Sequence, residues 1–209
     1  MSKERIQKIL AQNGFSSRRK IESLITEGRV FINDKPAKLG DKISIDEKVF
    51  IDGKEVRLAQ QISPELIMYN KPVGEECTHG SSKKTVFDGL PKPKSGKWIS
   101  IGRLDINTSG LLLITNDGQL ANDIIHPSKE IEREYIVRVR GKPSDSSLKK
   151  LTSGVVIDKK EISFTDLVRG KETSSHTWFA LVILSGKNRS VRKLWSSIGH
   201  EVSRLKRVR

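Results

Sequence analysis

Residues 102–118, with the sequence GRLDINTSGLLLITNDG, constrain the fold of this chain more than any other stretch. The apolar run at 111–115 predicts a buried strand, and Asn-Asp-Gly at 116–118 predicts a tight turn after it. Upstream, the pattern predicts a strand that ends at Asp105 and then a turn at 108–110. Asp105 would lie on a loop held by two strands, where rigid scaffolds commonly carry catalytic groups. The simpler interpretation is that Asp105 only caps a turn.

The composition indicates a polyanionic partner. The 209 residues carry 39 Lys and Arg against 25 Asp and Glu, a formal net charge of +14. Nucleic acid is the expected partner, and an anionic membrane surface is the competitor. No apolar run approaches the roughly 18 residues that span a bilayer, and the N-terminus lacks the apolar core of a secretory signal. We therefore expect a cytoplasmic protein that binds nucleic acid and no membrane.

The sequence predicts no cofactor. Its single cysteine, Cys77, cannot form an internal disulfide. The four histidines are scattered, without the close Cys or carboxylate spacing of a metal site. The Gly-Lys pairs of the chain do not stand in a phosphate-binding glycine loop. Neither a metal nor a nucleotide cofactor is implied.

The pattern sets residues 1–60 apart as a small domain. Apolar spacing predicts a helix at 5–12 and a second helix that Ser16 or Ser17 caps and that Gly28 ends. A short strand and a hairpin return follow. Basic residues cluster near the junction of these elements and form either a compact binding surface or a solvated face: Arg18, Arg19, Lys20, Arg29 and Lys38.

Residues 61–209 form the second domain, and a polar linker is predicted at 57–64. Strands are predicted at 66–69, 98–101, 111–115, 135–139, 162–168, 178–184 and 202–208, and helices at 119–125, 146–151 and 191–198. Strands outnumber helices and do not alternate with them regularly. The pattern therefore favours an α+β domain with a mixed, largely antiparallel β-sheet over a doubly wound fold.

Two stretches resemble known families. The run at 102–118 closely resembles the signature motif of the pseudouridine synthases that modify ribosomal RNA, and the similarity covers the second domain. The run RIQKILAQNGFSSRRKIESLITEGRVFINDKPAKLGDKI resembles the S4-like RNA-binding domain. The resemblance implies a small helical and hairpin RNA-binding domain, followed by a catalytic domain that isomerises uridine without a cofactor. It also implies RNA contacts for the clustered basic residues of the first domain.

The same resemblance assigns roles to five residues of the second domain. Asp105, the acid of GRLD, would be the catalytic residue, and Tyr135, in EREYIVRV, would stack on the target base. Arg192, in GKNRSVRKLW, would form a bidentate pair with the Asp105 carboxylate. Leu205, in SRLKRVR, would be a wall of the base pocket, and Arg103 would contact RNA. From the residues alone, Tyr135 and Leu205 also fit a core, and Arg192 fits a phosphate ligand.

The implied chemistry needs few groups. The base must be extruded into a pocket, at a cost of roughly a few kcal/mol. The N-glycosidic bond then breaks, the base turns, and a carbon link forms. One carboxylate suits this reaction because it can form a covalent intermediate or accept a proton, and the sequence leaves both open. The Lys71-Pro72 pair, in YNKPVGEECT, matches the family's first motif and implies a loop-shaping role.

Residues 186–209, here called the basic tail, and a second segment indicate the RNA target through their charge and their similarity to one branch of the family. Residues 186–209 contain eight Lys or Arg and one acid, and phosphate contacts are predicted for Lys187, Arg189 and Lys193. This tail and CTHGSSKKTVFDGLPK are most similar to the branch of the family that acts on 23S ribosomal RNA.

We therefore expect a monomer that isomerises a uridine in 23S ribosomal RNA or in pre-ribosomal particles. The alternatives are a synthase for 16S ribosomal RNA and a non-catalytic S4-domain protein that only binds RNA. Family members continue through another strand beyond the position of Arg209, and we expect that the catalytic groups precede it.

Overall fold

The computed structural model describes residues 3–58, 63–184, 186 and 189–209. They divide into two compact units. The first, here called the N-terminal unit, contains Met1–Leu66, Pro91–Ile99 and Thr115–Gly118. The second, the sheet unit, contains Ile67–Leu90, Ser100–Ile114 and Gln119–Arg209. The predicted linker at 57–64 lies partly outside the described residues.

The N-terminal unit consists of two helices and short strands. Its elements are β1 (Glu4–Arg5), α1 (Ile6–Gln12), α2 (Arg18–Thr26), β2 (Val30–Ile32), β3 (Lys35–Pro36), β4 (Lys42–Ile43), β5 (Val49–Ile51) and β6 (Lys54–Val56). Four of the strands form a sheet in the order β3-β2-β5-β6, and β1 pairs with β4. The side chain of Ser17 accepts a hydrogen bond from the backbone N of Lys20, so Ser17 is the cap of α2. Apolar residues one helical turn apart face inward and form the core with the strands: Ile6, Leu10, Ile21, Val30, Ile43 and Val49.

Two short segments beyond residue 90, Pro91–Ile99 and Thr115–Gly118, also belong to the N-terminal unit, although the sequence did not predict this. Gly96 packs so closely on α1 that a Cβ there would lie 2.6 Å from the carbonyl oxygen of Gln12. The buried side chain of Asn116 donates to the carbonyl oxygens of Ser63 and Ser95, at 3.0 and 3.1 Å. Its amide oxygen accepts from the backbone N of Glu65 at 2.8 Å.

The sheet unit is built on a seven-stranded sheet. Its elements are β7 (Leu66–Lys71), β8 (Ile99–Ile101), β9 (Ser109–Thr115), α3 (Gly118–Ile125), β10 (Arg133–Arg140), α4 (Asp145–Ser153), β11 (Val155–Ile157), β12 (Lys160–Ile162), β13 (Asp166–Glu172), β14 (His176–Ile183), α5 (Ser190–Ser197) and β15 (Val202–Arg207). The strand order is β13-β14-β10-β15-β9-β7, and β8 pairs with β9. The β13, β14, β10 and β15 ladder is antiparallel, whereas β15 and β9 are parallel. The predicted mixed, largely antiparallel α+β fold is confirmed.

One face of this sheet carries the core. Alternate residues of β10, β14 and β15 point to α5, whose Trp195 packs between Phe164 and Phe179 at ring distances of 6.1 and 4.8 Å. No helix in the described part of the chain is long and apolar enough to cross a bilayer.

Three details of the sequence prediction are wrong. No strand ends at Asp105, because β8 ends at Ile101 and residues 102–108 form a loop. Thr-Ser-Gly is not a turn either. The turn is closed at 105–108 by a 2.9 Å hydrogen bond from Thr108 N to the Asp105 carbonyl oxygen. Gly110 already lies in β9, so close to β15 that an added Cβ would be 2.0 Å from the carbonyl oxygen of Arg207. The predicted strand at 162–168 is divided between β12 and β13.

Candidate active site

Asp105 lies half-buried in the loop between β8 and β9, and its backbone is held at several points. Its carbonyl oxygen accepts from Thr108 N and from the side chain of Lys71, at 2.9 and 3.1 Å. The next residue, Ile106, accepts a 2.7 Å hydrogen bond from the backbone N of Gly74. These contacts fix where the Asp105 side chain leaves the loop.

Lys71 is a fully buried lysine at the end of β7. Its ammonium group donates to the carbonyl oxygens of Pro72, Asp105 and Thr108, at 2.9, 3.1 and 2.9 Å. These bonds use all three of its donors, which is how a buried charge is tolerated. Burial lowers the pKa of Lys71, while the nearby Cys77, Glu75 and Asp105 groups act in the opposite direction. Lys71 therefore fastens the Asp105 turn to β7.

A second set of hydrogen bonds joins the loop to the segment after β7. The thiol of Cys77 donates to the carbonyl oxygen of Leu104 and accepts from its backbone N, both at 3.4 Å. Burial raises the pKa of this thiol. Nearby, Glu75 is buried and bound by Tyr69 and Lys84, at 2.6 and 2.9 Å. The residues on either side of Asp105 are thus anchored, but its carboxylate has no hydrogen bond or ion pair with any described residue.

Tyr135 lies on β10, between Leu181 of β14 and Arg207 of β15, and within electrostatic range of the Asp105 charge. Its ring is partly buried and packs against the core of the sheet unit. Burial raises the pKa of the phenol and the Asp105 charge raises it further, whereas Arg207 and Arg133 lower it. The phenol is therefore neutral near pH 7. Its hydroxyl has no hydrogen-bond partner among the described residues.

The expected bidentate pair between Arg192 and Asp105 is not formed in this structure. Arg192, on α5, donates through Nη1 to the carbonyl oxygen of Val202 at 2.9 Å and through Nη2 to that of Asn107 at 3.0 Å. These carbonyls bind both Nη atoms, whereas Nε is buried without a partner among the described residues. Burial lowers the pKa of Arg192, and the Asp105 charge raises it. Arg192 therefore acts on Asp105 through space and holds the loop through Asn107.

The predicted pocket residue Leu205 and the predicted RNA contact Arg103 differ in exposure. Leu205, on β15, is 7% exposed and belongs to the core of the sheet unit, opposite Val137. Only a small part of its surface can face a base. Arg103 is exposed in the Asp105 loop.

The predicted RNA-binding residues also divide. Arg18, Arg19 and Lys20 are exposed in the first turn of α2, and Lys38 and Arg189 are exposed too. Arg29 is held by Asp52, with contacts of 2.6 and 2.7 Å, and by Glu27 at 2.9 Å. Lys193 is paired with Asp158. Lys187 lies outside the described residues.

Sequence reasoning missed two contributions to this site. It assigned Lys71 a loop-shaping role. It did not predict the hydrogen bonds from Lys71 to the Asp105 turn, because the carbonyl groups of Asp105 and Thr108 are distant in sequence. It passed over Arg207, although a signal was present: Arg207 stands two residues after the apolar Leu205 in a strand, a spacing that puts both side chains on one face. In the described part of the chain, no three His, Cys, Asp or Glu residues are grouped as a metal site.

Comparison with known proteins identifies the class. The family described as RNA pseudouridylate synthase matches residues 65–197, and the S4 domain matches residues 4–49. The chain belongs to the RNA pseudouridylate synthase family, as the sequence predicted. A solved crystal structure of a pseudouridylate synthase has the same fold, with a TM-score of 0.65 and 24% identity over 97% of this chain and 86% of that chain.

Two relatives are more similar in sequence. The chain is 45% identical to the ribosomal large subunit pseudouridine synthase B of Pseudomonas aeruginosa, over 99% of this chain and 55% of that protein. It is also 45% identical to the Escherichia coli protein of the same name, over 99% of this chain and 73% of that protein. The chain thus spans about half the length of the first relative.

Proposed function

We propose that this protein isomerises a specific uridine to pseudouridine in 23S ribosomal RNA. The observation that carries the proposal is the half-buried Asp105 carboxylate, which has no partner among the described residues and stands on a loop anchored on both sides. The carboxylate of a turn-capping Asp would accept hydrogen bonds from backbone N–H groups. Here Lys71 and Thr108 hold the turn through the backbone and leave the carboxylate available for chemistry.

The neighbouring side chains suit a flipped uracil. The Tyr135 ring offers a face for stacking, and Leu205 offers a narrow apolar wall. Asp105 acts as nucleophile or base while the bond between C1′ and N1 breaks and a bond between C1′ and C5 forms. The proton that leaves C5 is balanced by one that N1 gains. The reaction is an isomerisation and consumes no second substrate, which agrees with the expectation that no cofactor is used.

The target is inferred from the relatives, whose names refer to the large ribosomal subunit. The net charge of +14 supports a polyanionic partner. We expect the protein to act as a monomer in the cytoplasm on ribosomal RNA or pre-ribosomal particles. Two alternatives remain to be tested against this function, namely modification of 16S ribosomal RNA and RNA binding without catalysis.

Incubation with separate 16S and 23S ribosomal RNA transcripts tests the proposal. We expect new pseudouridine at one position of 23S RNA, mapped by carbodiimide labelling and reverse transcription, and none in 16S RNA. Pseudouridine in 16S RNA alone would contradict the target. RNA binding without pseudouridine in either transcript would contradict the enzymatic function and favour the binding protein.

The basic start of α2 should supply affinity and no chemistry. Changing Arg18, Arg19 and Lys20 together to Gln should weaken RNA binding and flatten its salt dependence. The slope should fall by up to about 0.9 for each lost duplex phosphate contact and by nearer 0.7 on a single strand. Single-turnover rates at saturating RNA should be retained, because the Asp105 loop lies in the other unit. Rates measured against RNA concentration at two salt levels give both quantities.

Arg29→Gln is the matched control for this triple variant, since Asp52 and Glu27 already neutralise Arg29. Its salt slope should stay close to that of the unmodified protein. An unchanged slope in the triple variant would mean that its three residues form a solvated helix face. A loss of rate at saturating RNA would mean that the N-terminal unit contributes to catalysis.

A further inference from the structure

Arg207 ends β15 on the face of the sheet that carries the candidate site. It is paired across the ladder with Tyr135, and Leu205 is paired with Val137. Side chains alternate along a strand, so Arg207 shares the face of these residues while the exposed Lys206 points the other way. The Cβ atoms of such a cross-strand pair are about 5 Å apart. The Arg207 side chain therefore starts directly beside the Tyr135 ring.

The guanidinium of Arg207 has unused donors. Its Nε donates to the carbonyl oxygen of Arg209 at 3.1 Å. Neither Nη atom has a hydrogen bond or a carboxylate partner within the described part of the chain. Burial lowers the pKa of Arg207, and the nearby Tyr135 group opposes this. The side chain is half-buried, and neither Nη atom is fully shielded from solvent. Both Nη atoms are therefore accessible to an anion, which would offset the partial loss of solvation.

Three other arginines near β10 have acceptors for their Nη atoms, in contrast to Arg207. Arg133 donates from Nη1 to two carbonyl oxygens, both at 2.9 Å. Arg192 donates from both Nη atoms to carbonyl oxygens. Arg209 is paired with the carboxylates of Glu132 and Glu134, both at 3.2 Å. Arg207 is the arginine of this group whose two Nη atoms are open to a ligand.

We propose that Arg207 binds a phosphate group next to the uridine that stacks on Tyr135. A phosphodiester carries the anion that Arg207 lacks, and its two free oxygens match the two Nη donors of a guanidinium. The phosphate of the flipped nucleotide and that of its neighbour are the anions that the RNA itself would bring nearest to Arg207. This inference rests on the proposed function, since the substrate RNA supplies the phosphate. Arg207 would hold the extruded nucleotide by its backbone while the base remains free to turn.

The test uses the 23S fragment in which the transcript assay locates the pseudouridine. Two further fragments carry a neutral methylphosphonate in place of the phosphate on the 5′ or the 3′ side of the target uridine. With the unmodified protein, we expect one of the two replacements to lower the single-turnover rate at subsaturating RNA by about 10- to 100-fold, the usual range for a charge-assisted hydrogen bond. On the all-phosphate fragment, Arg207→Gln should lower this rate by a similar factor. On the sensitive methylphosphonate fragment, the rates of Arg207→Gln and of the unmodified protein should be equal.

Two control variants separate recognition from folding. Arg207→Lys keeps a cation and should recover part of the rate together with sensitivity to the methylphosphonate. Lys206→Gln removes the adjacent charge from the opposite face and should behave like the unmodified protein. The inference is wrong if neither methylphosphonate slows the unmodified protein, or if both slow it and Arg207→Gln equally. If the unmodified protein forms no pseudouridine in any fragment, the proposed function itself fails, which is a different result.

Discussion

Replacing Asp105 with Asn should abolish pseudouridine formation and leave RNA binding nearly unchanged. The amide keeps the size of the side chain but can serve neither as the nucleophile nor as the base. We expect the single-turnover rate to fall by about 1,000-fold or more, toward the upper end of what one catalytic acid or base contributes. Tritium release from RNA labelled at C5 of uridine measures the rate, and filter binding measures affinity.

The control for this substitution is Asp123→Asn. Asp123 is exposed on α3, where it accepts a hydrogen bond from Gln119 at 3.0 Å. The change in charge is the same, so nonspecific effects on RNA affinity should be the same. Wild-type rates in Asp105→Asn would show that the carboxylate only caps the loop.

Replacing Lys71 with Met should lower both stability and activity. Methionine fills a similar volume, but the carbonyl oxygens of Pro72 and Thr108 would lose a buried donor, and that of Asp105 would keep only Thr108 N. Each unsatisfied buried polar group lowers the stability by about 1–3 kcal/mol. The loss is partly offset because the variant no longer has to bury a charge. We expect the free energy of unfolding in urea to fall by about 3 kcal/mol. The rate should fall as well, because the turn that aims Asp105 loses its anchor.

Lys206→Met provides the comparison. Lys206 is exposed on β15, and its replacement should change the unfolding free energy by no more than about 0.5 kcal/mol. The rate should be measured at a urea concentration at which both variants remain folded. A fully active and equally stable Lys71→Met protein would contradict the anchoring role of Lys71.

The sequence predicted the elements whose pattern is local. The alternation in β10, the helical spacing in α1 and α2, and the cap at Ser17 all depend on residues within one or two turns of each other. The Asp105 loop could be located but not described, because its shape depends on a lysine more than thirty residues away along the chain. Arg192 illustrates the same limit. The family resemblance implied a carboxylate partner for Arg192, and only the folded chain presents the two carbonyls that it binds.

The parallel contact between β9 and β15 has a consequence for the order of folding. β15 lies between β10 and β9, so without it the sheet separates into β13-β14-β10 on one side and β9 with β7 and β8 on the other. Gly110 and Arg207 meet in that contact although nearly a hundred residues separate them, and such distant pairings form late because loop closure comes first. During synthesis, the Asp105 loop and Tyr135 therefore belong to disconnected halves until β15 has left the ribosome. A nascent chain that has not reached this strand can fold the helices of its N-terminal unit before its candidate active site is assembled.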